Sequence, residues 1–129
     1  MKLFTLLTVL TILIALTSCD PSHDLKVDNQ TGKPIEVLYS KNSDVAYFGA
    51  NKTEFLKING RDLDKIILDS AEYLRIGIVS ARYTPIAENI DIEYLEIRNG
   101  ADTIRLIGKH AILSTIQKVK KFDWRLIIK

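Results

Sequence analysis

The stretch LKVDNQTGKPIEVLY, residues 25–39, decides the fold of this chain. Leu25 and Val27 alternate with charged residues, and Ile35, Val37 and Tyr39 again occupy every second position. Between these two runs, the polar sequence Asn-Gln-Thr-Gly-Lys offers a turn. Apolar residues at every second position indicate half-buried β-strands. The stretch therefore predicts two strands joined by a turn, each with one face in a core.

The same alternation continues toward the C terminus and gives about seven strands in all. The further strands are predicted at about residues 53–58, 74–78, 90–97, 103–107 and 124–128. Asn59-Gly60 and Asn99-Gly100 are hairpin signals, because asparagine and glycine both tolerate the positive φ of a two-residue turn. Tyr94-Leu95 interrupts the alternation, which predicts a β-bulge.

Three segments do not follow the alternation. Residues 41–52 are predicted to form a polar loop, and residues 62–72 fit either a single helical turn or a short buried strand. In residues 109–121, Ile112, Ile116 and Val119 lie on one face at helical spacing, which predicts a short helix.

Together these elements predict a mainly β domain over residues 25–129. Its expected architecture is an immunoglobulin-like or related antiparallel β-sandwich of about seven strands, with one short helix before the last strand. The preceding sequence Asp-Pro-Ser-His-Asp, residues 20–24, is short and polar and predicts a tether, which together with Cys19 spans residues 19–24.

The N-terminal residues have the pattern of a secretory leader. Lys2 is followed by an apolar run from Leu3 to Leu16, then by the small residues Thr17 and Ser18. A positive start, a short apolar region and small residues before a cut are typical of a cleaved signal peptide. A spanning helix needs about 20 apolar residues, and this run is shorter. Residues 1–18 are therefore predicted to be removed.

The sequence Leu16-Thr17-Ser18-Cys19 resembles the lipobox of bacterial lipoproteins, which is a leucine, two small residues and a cysteine. This resemblance implies cleavage between Ser18 and Cys19 and attachment of a diacylglyceryl group and an amide-linked acyl chain to Cys19. Two or more acyl chains hold a protein stably on a bilayer. The alternatives are a soluble secreted protein and an uncleaved anchor helix. The implied location is the bacterial cell envelope, on the periplasmic side or the cell surface.

Charge and cysteine content restrict the classes of function. Removal of residues 1–18 takes away Lys2 from 18 basic and 16 acidic residues, which leaves a net charge of +1. This nearly neutral balance argues against a nucleic-acid partner. Cys19 is the single cysteine, so once it is lipidated no thiol is left for a disulfide, a nucleophile or a zinc site. The domain is expected to hold together by packing alone.

The sequence lacks the motifs of common catalytic sites. No serine lies in a Gly-x-Ser-x-Gly elbow, and the two histidines, His23 and His110, are interpreted as solvated residues. The pair Asp62 and Asp64 lacks the glycine and the glutamate of a calcium loop. We therefore expect a protein that is not an enzyme and has neither a metal nor a cofactor.

Charge is distributed unevenly along the chain. Residues 62–96 contain eight acidic against three basic residues, whereas residues 109–129 contain six basic residues against Asp123. This asymmetry could steer a partner, or it could set the basic end against an anionic lipid surface. Alternatively, the two regions could neutralise each other across the fold.

Three aromatic residues, Tyr47, Phe48 and Tyr83, fall in predicted loops. Loop aromatics on a rigid sandwich often form binding sites, and they also often cap the open end of the core.

The layout of the chain is similar to that of small envelope lipoproteins of the Bacteroidetes. Exported proteins of that group carry O-glycans at short motifs of an aspartate, a serine or threonine and an apolar residue. Asp69-Ser70-Ala71 and Asp102-Thr103-Ile104 resemble these motifs, which implies glycans on Ser70 and Thr103. The favoured function is a membrane-anchored, non-catalytic lipoprotein that acts as a structural or interaction module with an envelope protein as partner. The alternative is a ligand- or glycan-binding lipoprotein that uses the loop aromatics at one end of the sandwich.

Overall fold

The computed structural model describes residues 21–40, 42 and 44–129. The strands are β1 (Ser22–Asn29), β2 (Ile35–Ser40), β3 (Ala46–Phe48), β4 (Glu54–Ile58), β5 (Arg61–Leu68), β6 (Tyr73–Ser80), β7 (Tyr94–Asn99), β8 (Asp102–Ile107), β9 (Gln117–Lys120) and β10 (Asp123–Ile128). Helix α1 covers Lys109–Thr115, and a 3-10 turn covers Ala87–Asn89.

The strands form two five-stranded sheets. The first sheet has the order β3-β6-β1-β10-β9, and the second has the order β4-β5-β2-β7-β8. All strand pairs are antiparallel except β1 with β10, which run parallel. The predicted β-sandwich is confirmed, with a parallel pair at the centre of its first sheet.

One core lies between the sheets. Leu25 and Val27 of β1 and Val37 and Tyr39 of β2, from the opening stretch, are buried in it together with residues from both sheets. The last strand, β10, lies between β1 and β9 and places Leu126 and Ile128 in the same core. Burial of these apolar side chains stabilises the domain, because apolar burial is the dominant favourable term in folding.

The described residues form ten strands where the sequence predicts about seven, because three further segments adopt extended backbone. β3 lies within the predicted loop 41–52, β5 resolves the ambiguous segment 62–72 as a strand, and β9 lies within the predicted helix. β4 and β5 are joined by the turn Asn59-Gly60, and both residues have the positive φ expected of it. The hairpin prediction at that position is confirmed.

The helix is shorter than its predicted range of 109–121. It ends at Thr115 because Ile116 adopts extended backbone angles, and β9 follows directly. Val119, which was expected to line the helical face, is exposed on β9. The helix also precedes two strands, β9 and β10, and not the last strand alone.

Two local predictions about the chain path are wrong. The tether was predicted to reach Asp24, but β1 begins at Ser22, and the carbonyl of Pro21 accepts a hydrogen bond from the amide of Ala81 at 2.9 Å. The pairing of β7 is continuous with both neighbours, so Tyr94-Leu95 is not a bulge. A register shift occurs instead between β1 and β6, next to Leu25.

The described residues contain no helix that is both long and apolar enough to cross a membrane. The leader and the residues Ser18 and Cys19 lie outside the described residues.

Candidate functional site

The outer face of the second sheet carries a second apolar cluster. Side chains alternate between the faces of a strand, so Leu38 points away from the core that Val37 and Tyr39 enter. Leu38 is nevertheless buried, in contact with Leu63 and Tyr94. A strand face that points away from the sandwich core normally meets water. Burial at this position therefore means that neighbouring side chains cover the outer face.

The side chains that cover this outer face form a groove, which we name the arginine groove. It has a volume of about 380 Å³ and is lined by Leu38, Ile58, Asn59, Arg61, Leu63, Tyr94, Glu96, Arg98, Arg105 and Ile107. The β4–β5 hairpin supplies one wall, and β7 and β8 supply the other. Ile58 and Ile107 are exposed apolar side chains on the two walls. The groove thus combines an apolar floor with charged walls.

Glu96 is the charged residue at the centre of the groove, and only 3% of it is exposed. Its carboxylate accepts hydrogen bonds from the Tyr94 hydroxyl, from Arg98 Nε at 2.6 Å and from Arg105 Nε at 2.8 Å. Burial alone raises the pKa of Glu96, but these hydrogen bonds outweigh it and lower the pKa to about 2. Glu96 is therefore ionised at neutral pH despite its burial.

Arg98 and Arg105 donate to this carboxylate, and a third groove arginine, Arg61, contacts Tyr94. Arg98 also donates to Glu36 at 2.6 Å, and Arg105 Nε also lies 3.1 Å from the Tyr94 hydroxyl. The guanidinium of Arg61 lies 5.1 Å from the centre of the Tyr94 ring, in a cation–π contact. Because Glu96 offsets one of the three positive charges, the groove lining has a net positive charge.

The groove offers hydrogen-bond donors above an apolar floor. Burial, followed by the hydrogen bond to Glu96, raises the pKa of Tyr94, so its phenol stays protonated and serves as a hydrogen-bond donor. Guanidinium groups recognise carboxylates, sulfates and phosphates through paired N–H donors. The apolar floor and the exposed isoleucines would contact an apolar part of the same ligand. The groove can therefore hold an amphipathic, anionic group.

The loop aromatics predicted as a site are not brought together. Phe48 pairs with Tyr73 at the start of β6 and stacks on its ring at 5.1 Å, whereas Tyr83 follows the end of β6. The eight residues of β6 separate these positions by about 25 Å at 3.3 Å per residue. Tyr47 is half-buried, and its hydroxyl oxygen lies within hydrogen-bond distance of two acceptors, a Glu72 carboxylate oxygen at 2.7 Å and the carbonyl oxygen of Ile67 at 3.0 Å.

The residues suggested for glycosylation and the histidine His110 also have defined positions. Ser70 lies in the turn between β5 and β6, Thr103 lies on the edge strand β8, and both are exposed. His110 is exposed in the first turn of α1. Within the part of the chain that the structure describes, no group of three or more histidine, cysteine, aspartate or glutamate residues is placed to hold a metal ion.

Comparison with known proteins gives no family for this chain. No protein-family model matches it, and neither does any curated protein or any solved structure. The chemistry of the arginine groove and of the N-terminal segment therefore carries the functional proposal.

Proposed function

We propose that this chain is a lipid-anchored, non-catalytic interaction module of the bacterial cell envelope, and that the arginine groove is its contact site. The groove is the observation that carries this proposal, because exposed apolar side chains rimmed by charged residues are typical of interaction sites, and the groove combines both. The lipobox resemblance of residues 16–19 supports the anchor.

The chemistry of the groove suggests the kind of partner. An extended segment of an envelope protein with an acidic side chain next to apolar residues would meet Arg61 and Arg105 with its carboxylate. Its apolar residues would pack on Ile58 and Ile107, which are exposed in the unbound protein. Strand β8 lies at the edge of the sheet beside the groove and offers unpaired backbone groups to such a segment.

Site-specific photo-crosslinking in intact cells tests the contact site. A photoreactive residue at Ile107, on the groove wall, is expected to yield a reproducible cross-linked partner. The matched control is Ile86, which is exposed to a similar extent, 56% against 58%, but lies in the loop before the 3-10 turn. Equal cross-linking from both positions, or none from Ile107, would contradict the proposal.

Charge variants distinguish a specific contact through the groove arginines from non-specific electrostatic binding. Arg61→Gln is expected to weaken partner recovery, because it removes one groove guanidinium. Lys57→Gln is the control, since Lys57 lies on the same hairpin and pairs with Asp62 on the opposite face of the sheet. If Lys57→Gln reduces recovery as much as Arg61→Gln, the groove is not the contact site.

The second candidate function is a ligand- or glycan-binding lipoprotein. The separation of Tyr47 and Phe48 from Tyr83 does not support the version that uses loop aromatics at one end. The arginine groove favours another version, because its volume of about 380 Å³ falls in the usual range of small-ligand sites. Native mass spectrometry of protein released gently from membranes would reveal a bound acidic small molecule or sugar, and its loss in Arg61→Gln would assign it to the groove.

A further inference from the structure

The end of the first sheet at which β1 begins is the end closest to the lipidation position. Ser22, the first residue of β1, follows Cys19 by three residues. β10 runs parallel to β1, so the turn at Lys121 and Phe122 that precedes β10 lies beside the start of β1. β6 is antiparallel to β1, so the loop after Ser80 lies at the same end.

Side-chain contacts tie these segments together. The ring of Phe122 stacks on His23 of β1 with centroids 5.2 Å apart, and Lys121 Nζ lies 5.0 Å from the Phe122 ring centre. Phe122 is still 37% exposed, and Tyr83, in the loop after β6, is 68% exposed. Two aromatic side chains therefore reach solvent at the end of the sheet where the chain enters it.

The same end carries an excess of positive charge. A cavity of about 350 Å³ lies between β1 and the β9–β10 turn. Its lining has four basic residues, Lys26, Lys120, Lys121 and Arg125, against two acidic ones, Asp24 and Asp123. Both acids have basic partners, because Asp123 pairs with Arg125 at 2.8 Å and Asp24 lies 3.9 Å from Arg75. Lys120 and Lys121 are exposed, so their charge is available at the surface.

We propose that this anchor-side surface, formed by Tyr83, Lys120, Lys121 and Phe122, docks on the anionic headgroups of the bilayer that holds Cys19. The inference rests on the lipid anchor of the proposed function. The three residue steps from Cys19 to Ser22 span at most about 11 Å, even when the chain is fully extended. The headgroup layer of one leaflet is itself about 5–7 Å thick. The start of β1 is therefore held within reach of the headgroups.

The composition of the surface matches that position. Tyrosine and other aromatic side chains with an exposed edge are enriched at membrane interfaces, and lysines are attracted to anionic lipids. The docked surface would fix the orientation of the sandwich, whereas an anchor alone fixes its distance from the membrane. In this orientation the far end of β1, with the turn at residues 30–34, points away from the bilayer.

Vesicle binding by the unlipidated mature chain, residues 19–129 with Cys19→Ser, tests the surface without the anchor. We expect sedimentation with vesicles of phosphatidylcholine and 30% phosphatidylglycerol at low salt, and release at high salt. In Lys120→Gln/Lys121→Gln, the partition coefficient is expected to fall about 30-fold, given the usual contribution of a lysine near an anionic leaflet. The matched control is Lys33→Gln/Lys129→Gln, which removes two exposed lysines at the opposite end of β1 and β10.

An equal loss of binding in both double variants, or no dependence on phosphatidylglycerol, would overturn the proposal. Circular dichroism of each variant verifies that it is folded. This experiment contains no lipid on residue 19, so its outcome is independent of whether Cys19 is acylated. The two parts of the hypothesis can therefore fail separately.

The lipidated chain in vesicles provides the second measurement. A tryptophan placed at Tyr83 is expected to be quenched by spin-labelled headgroups, whereas a tryptophan placed at Phe48, at the other end of β6, is not. Both are introduced in a Trp124→Phe background, which removes the native tryptophan. Equal quenching at both positions would mean that the domain has no fixed orientation, and would overturn the docked surface while leaving the anchor intact.

Discussion

Glu96 carries a buried negative charge, and three neighbouring side chains donate hydrogen bonds to it. Because its pKa is lowered from 4.5 to about 2, the folded state binds fewer protons than the unfolded state between these values. The stabilisation by Glu96 is therefore fully present above pH 4.5 and is lost as the pH falls toward 2. By pH 2.5 the loss is expected to be about 2.5 kcal/mol.

Glu96→Gln removes this dependence, because an amide does not titrate in this range. Urea unfolding at pH 6 and pH 2.5 should show a smaller acid-induced loss of stability in Glu96→Gln than in the wild type. Other carboxylates with lowered pKa values, such as Glu72 and Asp123, titrate in both proteins and cancel in the comparison. Identical pH dependence in the two proteins would show that Glu96 is not held ionised by the arginines.

Gly77 occupies a position in β6 where the backbone of another segment passes very close. A Cβ at this position would clash with the carbonyl oxygen of Asn89 and would lie 3.2 Å from Leu25 Cδ1. Gly77→Ala is therefore expected to displace residues 89–92 and to reduce the free energy of unfolding by about 1–3 kcal/mol, as overpacking usually does. Ser80→Ala, at an exposed position of the same strand, is the control and should change stability by less than about 0.5 kcal/mol.

The residue patterns predicted the core better than they predicted the groove. Leu25, Val27, Val37 and Tyr39 were expected in the core and are found there, because a two-faced strand repeats its pattern every second residue. Glu96 gave no such signal, since a buried glutamate looks the same in sequence as an exposed one. Leu38 is an apolar residue between two core residues, so its pattern could have indicated a second buried face, but no such face was predicted.

At the level of elements, the parallel pair β1–β10 brings the two ends of the described chain into one ladder. Arg125 of β10 bonds Asp28 of β1 at 2.8 Å and Asp123 of its own strand at 2.8 Å, and both acids are nearly buried. The hydrogen bond from Arg125, which outweighs the effect of burial, lowers the pKa of Asp123. This ion cluster therefore links the first and last strands of the first sheet.

Arg125→Met removes the guanidinium that Asp28 and Asp123 share, so both nearly buried carboxylates lose these hydrogen bonds. The expected loss of stability is on the order of 2 kcal/mol, below the 3–5 kcal/mol of a fully buried pair because Arg125 is partly exposed. Lys65→Met is the control, because it breaks an ion pair with the exposed Glu54 and should cost less than about 1 kcal/mol. Equal losses in denaturant unfolding would mean that the Arg125 cluster is no stronger than a surface pair.

The strands that the sequence pattern does not predict are either very short or directly follow a helix. β3 has three residues, too few for an alternation to be recognised. β9 follows a real helix, and Ile116 and Val119 happen to continue its spacing although the backbone has already become extended. In β6, the register shift against β1 places Val79 in the core and exposes Ile78, where strict alternation predicted the reverse.

At the scale of the whole molecule, three residue steps separate β1 from Cys19, so a lipid anchor on Cys19 would keep the domain close to the membrane. The acyl chains proposed on Cys19 would hold the protein on the membrane, since each buried methylene contributes about 0.8 kcal/mol and the anchor-side surface adds a weaker, salt-sensitive contact. Loss of the anchor is therefore expected to change localisation much more than loss of Lys120 and Lys121.

Cys19→Ser replaces the thiol that would form the thioether, so the protein is expected to leave the membrane fraction. Ser18→Ala is the matched control, because it keeps a small residue before the cysteine and should still be lipidated and membrane-bound. Fractionation at high salt measures membrane association, and the intact mass measures acylation. High salt removes the contribution of the basic surface, so the membrane-bound share then reports the acyl chains alone. Retention of Cys19→Ser at high salt, with no acyl mass attached, would refute the lipid anchor.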